Sequence, residues 1–135
     1  MKTSPGFKDS AEMINYYYDE KFANAGDSLY RIRTEAGRKA VIKDLKEYIK
    51  NLNDELDGLQ NIIDTNTKQL KEFKEITYRQ FAAGIISKEQ YEQGLKCIKR
   101  SQEVITNYER ELKKRKSEYL PLIDDANTII KINRQ

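Results

Sequence analysis

The sequence contains no histidine and no tryptophan, one cysteine and two prolines. Each scarcity closes off a class of chemistry. Without histidine the chain lacks the commonest general base and the commonest neutral metal ligand. One cysteine, Cys97, excludes an intramolecular disulfide, and with no histidine beside it the usual zinc ligand sets cannot be assembled within one chain. No phosphate loop, GxGxxG or GxSxG motif occurs. No apolar run approaches the roughly 20 residues that span a bilayer, and the first residues, Met1-Lys2-Thr3-Ser4-Pro5-Gly6, lack the apolar stretch of a signal peptide. The expectation is a non-enzymatic protein without a cofactor or metal, away from membranes and cytoplasmic, in a bacterial cell or a virus-infected host cell.

What the chain does have is charge. Charged residues make up 35% of the 135 residues, where an average soluble domain carries roughly 25%. Tyrosine (9) outnumbers phenylalanine (4), which suits half-buried seams better than a dry interior. That balance predicts an all-α protein of long solvated helices. The charge is uneven: residues 1–67 hold 10 basic against 12 acidic side chains, residues 68–135 hold 15 against 10. The asymmetry is mild for a dedicated nucleic-acid domain.

A loose tail is expected over residues 1–8. Asp9 or Ser10 can cap a helix over 10–25, carrying Ile14, Tyr17, Tyr18 and Phe22 at helical spacing. The segment Ala25-Gly26-Asp27-Ser28 reads as a stop and a new cap. A long helix then follows over 28–82. Within it Ile42, Leu45, Ile49, Leu52, Leu56, Leu59, Ile63, Asn66, Leu70, Phe73 and Thr77 recur in unbroken steps of three and four. Nine of these eleven positions are apolar, where the 38% apolar composition would give about four. The repeat is a heptad seam and predicts left-handed supercoiling. Residues 42–80 would span about 58 Å.

Gly84 interrupts the pattern, and a turn is expected over 83–87. Gly84 suits the left-handed residue that closes a helix. Ser87 and Gln90 form a capping-box pair, with Ile86 and Tyr91 at the positions of a hydrophobic staple. A second helix over 88–120 repeats the steps through Tyr91, Gly94, Ile98, Ser101, Ile105, Tyr108, Leu112, Arg115, Tyr119 and Leu122. Pro121 is expected to stop it, with a short helix over 124–133 after it. So short a link between long helices predicts an antiparallel coiled-coil hairpin, with a short helix at either end.

Two arms make only one seam, so Ile62, Ile76, Leu95 and Val104 are left beside it. Together with Tyr16, Tyr17, Tyr18 and Phe22 they form the candidate protein interface, closed by the N-terminal helix, a second copy of the chain or a heterologous partner. The run Arg110, Lys113, Lys114, Arg115 and Lys116 could track a nucleic acid or another acidic surface. Interleaved Glu109, Glu111 and Glu118, and the lack of an aromatic platform, favour a solvated face. Asp54, Glu55 and Asp57 read as solvated outer positions, Asn66 as a register-fixing seam residue, and Cys97 as a small, partly buried filler. A helical-hairpin adaptor, chaperone or inhibitor that binds protein, itself as a homodimer included, is the leading expectation. A nucleic-acid accessory protein is the alternative.

The stretch Phe81-Ala82-Ala83-Gly84-Ile85-Ile86-Ser87-Lys88-Glu89-Gln90-Tyr91 resembles the turn of short bacterial helix–turn–helix oligomerisation segments of the SHOCT type. The outline, a hairpin of this length with "AGI" at its turn, is also similar to the stalk proteins of flagellar and type III export ATPases. Those begin with a heptad helix almost at once, whereas here a Tyr-rich preamble and Gly26 come first.

Overall fold

The computed structural model describes Glu12, Arg31, Ile32 and residues 34–134. Two long helices, α1 (Glu35–Ala82) and α2 (Lys88–Arg134), pack against each other as a hairpin. The expected tail over 1–8 and most of the expected helix over 10–25 lie outside the described residues.

The turn follows from its own residues. Gly84 adopts φ 72°, and two reversed bonds close α1: Gly84 N–H to Phe81 O at 3.0 Å and Ile85 N–H to Gln80 O at 2.9 Å. This pair is the Schellman arrangement, which satisfies carbonyls the helix end would leave bare. At the start of α2, Ser87 N–H donates to Gln90 Oε1 at 2.8 Å, and Gln90 N–H donates to Ser87 Oγ at 3.1 Å, completing the reciprocal capping box. Across the turn Phe81 stacks on Tyr91 at 4.0 Å between ring centroids. Gly84→Ala should cost about 1 kcal/mol, because the left-handed conformation penalises a Cβ. Nothing lies within 4 Å of that Cβ, so the loss, read as a lower midpoint in denaturant, would be conformational alone.

α1 begins at Glu35 and not at residue 28. Thr34 is its cap: its Oγ1 accepts from Gly37 N–H at 3.0 Å, and its carbonyl accepts from Arg38 N–H at 2.9 Å. At the far end α2 runs unbroken to Arg134 with Pro121 inside it, so the expected stop at 120 and the separate helix over 124–133 are replaced by one helix. An interior proline costs about 3 kcal/mol. Burial beyond it offsets that cost: Ala126, Ile129 and Ile130 are all buried, and each isoleucine contributes roughly 1.5–3 kcal/mol. Pro121 itself faces solvent.

The chain divides into two compact units. In the first, Met1–Glu55 with Lys116–Gln135, the buried cluster is Ile32, Val41, Leu45, Tyr48, Ala126, Ile129 and Ile130, with Ile42, Ile49, Leu52 and Leu122 packed against it. Here the burial departs from the expected seam, because Val41 and Tyr48 are buried while Ile42 and Ile49 are only half-buried. Asn133, also buried, holds the unit together. Its Oδ1 accepts from Ile32 N–H and its Nδ2 donates to Ile129 O, both at 2.8 Å. Arg38 Nη1 donates to Ile32 O at 2.9 Å, so both backbone polar groups of Ile32 are met by side chains.

In the second unit, Leu56–Arg115, the seam is Leu56, Leu59, Ile63, Leu70 and Thr77 from α1 against Ile98, Ile105 and Leu112 from α2. Asn66 is half-buried and Phe73 exposed, so beyond Ile63 the positions seven apart stay at the centre and the others turn to one side.

Candidate functional site

The second unit leaves apolar surface uncovered. Ile62, Phe73, Ile76 and Val104 are 41–49% exposed. The seam spacing places them together. Ile62, Gln69 and Ile76 each precede a buried seam residue of α1 (Ile63, Leu70, Thr77), and Cys97, Val104 and Glu111 each precede one of α2 (Ile98, Ile105, Leu112); Glu111 is paired with Arg115. In an antiparallel pair these residues share one flank. A groove of about 340 Å³ lies there, lined by Asn66, Gln69, Phe73, Arg100, Ser101 and Val104 over Leu70 and Ile105.

The groove on the opposite flank is more polar: Thr67, Lys71, Lys74, Gln102 and Glu109 line it over the same Leu70 and Ile105, with Phe81 and Leu95 exposed on that side nearer the turn. Leu95 follows Gly94 in the seam and so belongs on this second flank. The four residues expected as one interface therefore divide: Ile62, Ile76 and Val104 stand together, and Leu95 stands apart. Phe73 joins the first group. It holds a seam position by spacing, yet it is 41% exposed. Cys97 is exposed rather than partly buried. Tyr16, Tyr17, Tyr18 and Phe22 lie outside the described residues.

The two helices pack tightly where Thr77 meets Gly94. A Cβ built on Gly94 would stand 3.0 Å from Thr77 Cγ2. Thr77 is buried and stiff about χ1, so it has little room to yield. Alanine at 94 gains about 1 kcal/mol of helix propensity but overpacks the seam, which typically costs 1–3 kcal/mol. Gly94→Ala alone should therefore lower stability by up to about 2 kcal/mol, while Gly94→Ala with Thr77→Ser, which removes Cγ2, should restore or exceed the parent. A double-mutant cycle in urea measures that coupling. At Gly58 nothing lies within 4 Å of a built Cβ, so Gly58→Ala should raise stability by about 1 kcal/mol in the same assay.

The basic run is spread around α2. Arg115 is half-buried and pairs with Glu111 at 3.6 Å, one helical turn back. Arg110, Lys113, Lys114 and Lys116 are exposed. The carboxylates near residue 55 have ordinary local roles. Asp54 accepts from Lys50 Nζ at 2.8 Å, and that hydrogen bond, with the Asp54 charge, raises the lysine's pKa. Glu55 accepts from Tyr119 Oη at 3.0 Å. Among the described residues no group of three or more His, Cys, Asp or Glu side chains could hold a metal, and no helix is long and apolar enough to cross a membrane. No protein-family model, curated protein or solved structure matches this chain.

Proposed function

We propose that this protein is a non-enzymatic binding module whose antiparallel helical pair, supercoiled along its heptad seam, presents the flank of Ile62, Phe73, Ile76 and Val104 to another protein. The observation that carries the reading is the contrast between the two sides of one seam. One groove is rimmed by Lys71, Lys74 and Glu109, while the other is rimmed by Phe73 and Val104, with Ile62 and Ile76 exposed along the same flank. Single exposed apolar residues need no explanation, whereas a contiguous patch marks an interaction site. The surface suits an amphipathic partner laid along the groove.

The test is cross-linking and recovery of partners from the native host with the parent and with Ile62→Asp/Val104→Asp. Both positions are exposed, so the variant should keep the parent's helical circular dichroism. A partner held by the parent and lost by the variant supports the reading. Undiminished recovery by the variant would overturn it. The competing nucleic-acid reading places the contact on Arg110, Lys113, Lys114 and Lys116. It requires a gel shift that weakens steeply with salt and disappears when Lys113, Lys114 and Lys116 become Glu.

A further inference from the structure

We infer that the occupant of the apolar flank is a second copy of this chain, related by a two-fold axis parallel to the helices and locked by reciprocal Glu72–Arg100 ion pairs. The inference rests on the binding-module reading above and adds the partner's identity and register.

The argument starts from level. Thr77 faces Gly94, and Asn66 and Leu70 share a groove with Ile105 and Ser101. Each step back along α1 thus matches a step forward along α2. Glu72, five residues before Thr77, stands level with Arg100, six residues after Gly94. Both occupy the position immediately outside the apolar flank: Glu72 lies three residues after Gln69 on α1, and Arg100 three after Cys97 on α2. Arg100 lines the groove itself. Among the described residues neither side chain has an ion-pair partner, and both are exposed.

Rotation about an axis parallel to the helices moves nothing along them. It sets α1 of one protomer over α2 of the other, antiparallel, as the hairpin already pairs them. Level is preserved, so Glu72 meets Arg100 of the partner, and symmetry repeats the contact. The same operation sets Thr65 beside Asn107, Arg79 beside Gln93 and Gly58 beside Lys114, so no like charges meet along the edge. Ile62, Phe73, Ile76 and Val104 of both copies then turn inward and close a four-helix bundle. The other two-fold arrangement, with its axis across the helices at Gln69, brings no opposite charges of this edge together.

Sedimentation equilibrium at tens of micromolar should give twice the 15.9 kDa chain mass. Glu72→Arg alone and Arg100→Glu alone should each weaken the dimer about tenfold, because each sets like charges together at two places. The double variant should return to within about threefold of the parent. Ile76→Asp should yield monomer with unchanged helical circular dichroism. A parent that is monomeric overturns the second copy. A dimer indifferent to Ile76→Asp overturns the face, and a dimer not rescued by the charge swap overturns the register. A monomeric parent that still loses a host partner on Ile62→Asp/Val104→Asp leaves the binding-module reading standing, so the two failures are told apart.

Discussion

Leu45→Ala is expected to destabilise the protein by about 2–5 kcal/mol, the range for large-to-small changes at sites that cannot collapse. Leu45 has no exposed surface and sits in the cluster of Ile32, Val41, Tyr48, Ala126, Ile129 and Ile130. Two effects oppose each other. Alanine is the better helix former, but only by a few tenths of a kcal/mol. The lost transfer energy and the cavity are several times larger, because the cluster draws on both helices and on Ile32, so no single segment can close the gap. The measurement is thermal or urea unfolding, with a melting shift on the order of 3–6 °C per kcal/mol. Leu95→Ala is the control: the same deletion on a part-exposed side chain should cost well under 1 kcal/mol. Similar losses at the two positions would mean that the first unit has no tight core.

Much of this architecture is readable from the residues. The turn is local chemistry: Gly84, Ser87 and Gln90 do what their types and spacing require, whatever the rest of the chain does. The seam of the second unit is periodicity, and Ile98, Ile105 and Leu112 are buried where the repeat puts them. Pro121 shows how a strong local signal misleads. The steps of three and four do not end at Leu122. They continue through Ala126, Ile129 and Asn133 in the same phase. That continuity is the mark of one helix, and the proline's penalty is the smaller term once the buried isoleucines are counted.

Other features had weaker signals. Thr34 is an ordinary cap by type, but Leu29 and Ile32 before it mimic helical spacing, so spacing alone puts the start at residue 28, seven residues before Glu35. Val41 and Tyr48 are buried in place of Ile42 and Ile49 because α1 there meets more than one neighbour. The heptad describes a helix facing a single partner, and the second unit, where it faces one, obeys it more closely. The candidate surface was half legible. Spacing found Ile62, Ile76 and Val104 beside the seam, but it did not separate Leu95 or supply Phe73. Leu95 separates once the antiparallel pairing assigns each flanking residue to a side, whereas Phe73 holds a seam position and is set apart only by its exposure.

Asn133→Ala is expected to cost about 2 kcal/mol, although asparagine is the poorer helix former and alanine gains about 0.7 kcal/mol of propensity. The loss is specific. Asn133 Oδ1 accepts the Ile32 N–H across 101 residues of sequence, and truncation leaves that buried donor without its partner, which costs roughly 1–3 kcal/mol. The second bond, Nδ2 to Ile129 O, matters less, since a helical carbonyl already serves the backbone. Asn133→Leu should fare no better: it refills the volume with apolar atoms but cannot accept a hydrogen bond. The distinguishing readout is amide exchange. In both variants the Ile32 amide should lose protection by on the order of tenfold or more, while amides of Ile63, Leu70, Ile98 and Ile105 in the second unit keep theirs. Arg38→Met removes the bond to the other polar group of Ile32, but a freed carbonyl finds water more readily at this half-buried residue, so its cost should stay below 1 kcal/mol. If the Ile32 amide kept its protection in Asn133→Ala, the segment before Thr34 would be held by its side chain alone, and the hydrogen bond to the end of α2 would be incidental to the fold.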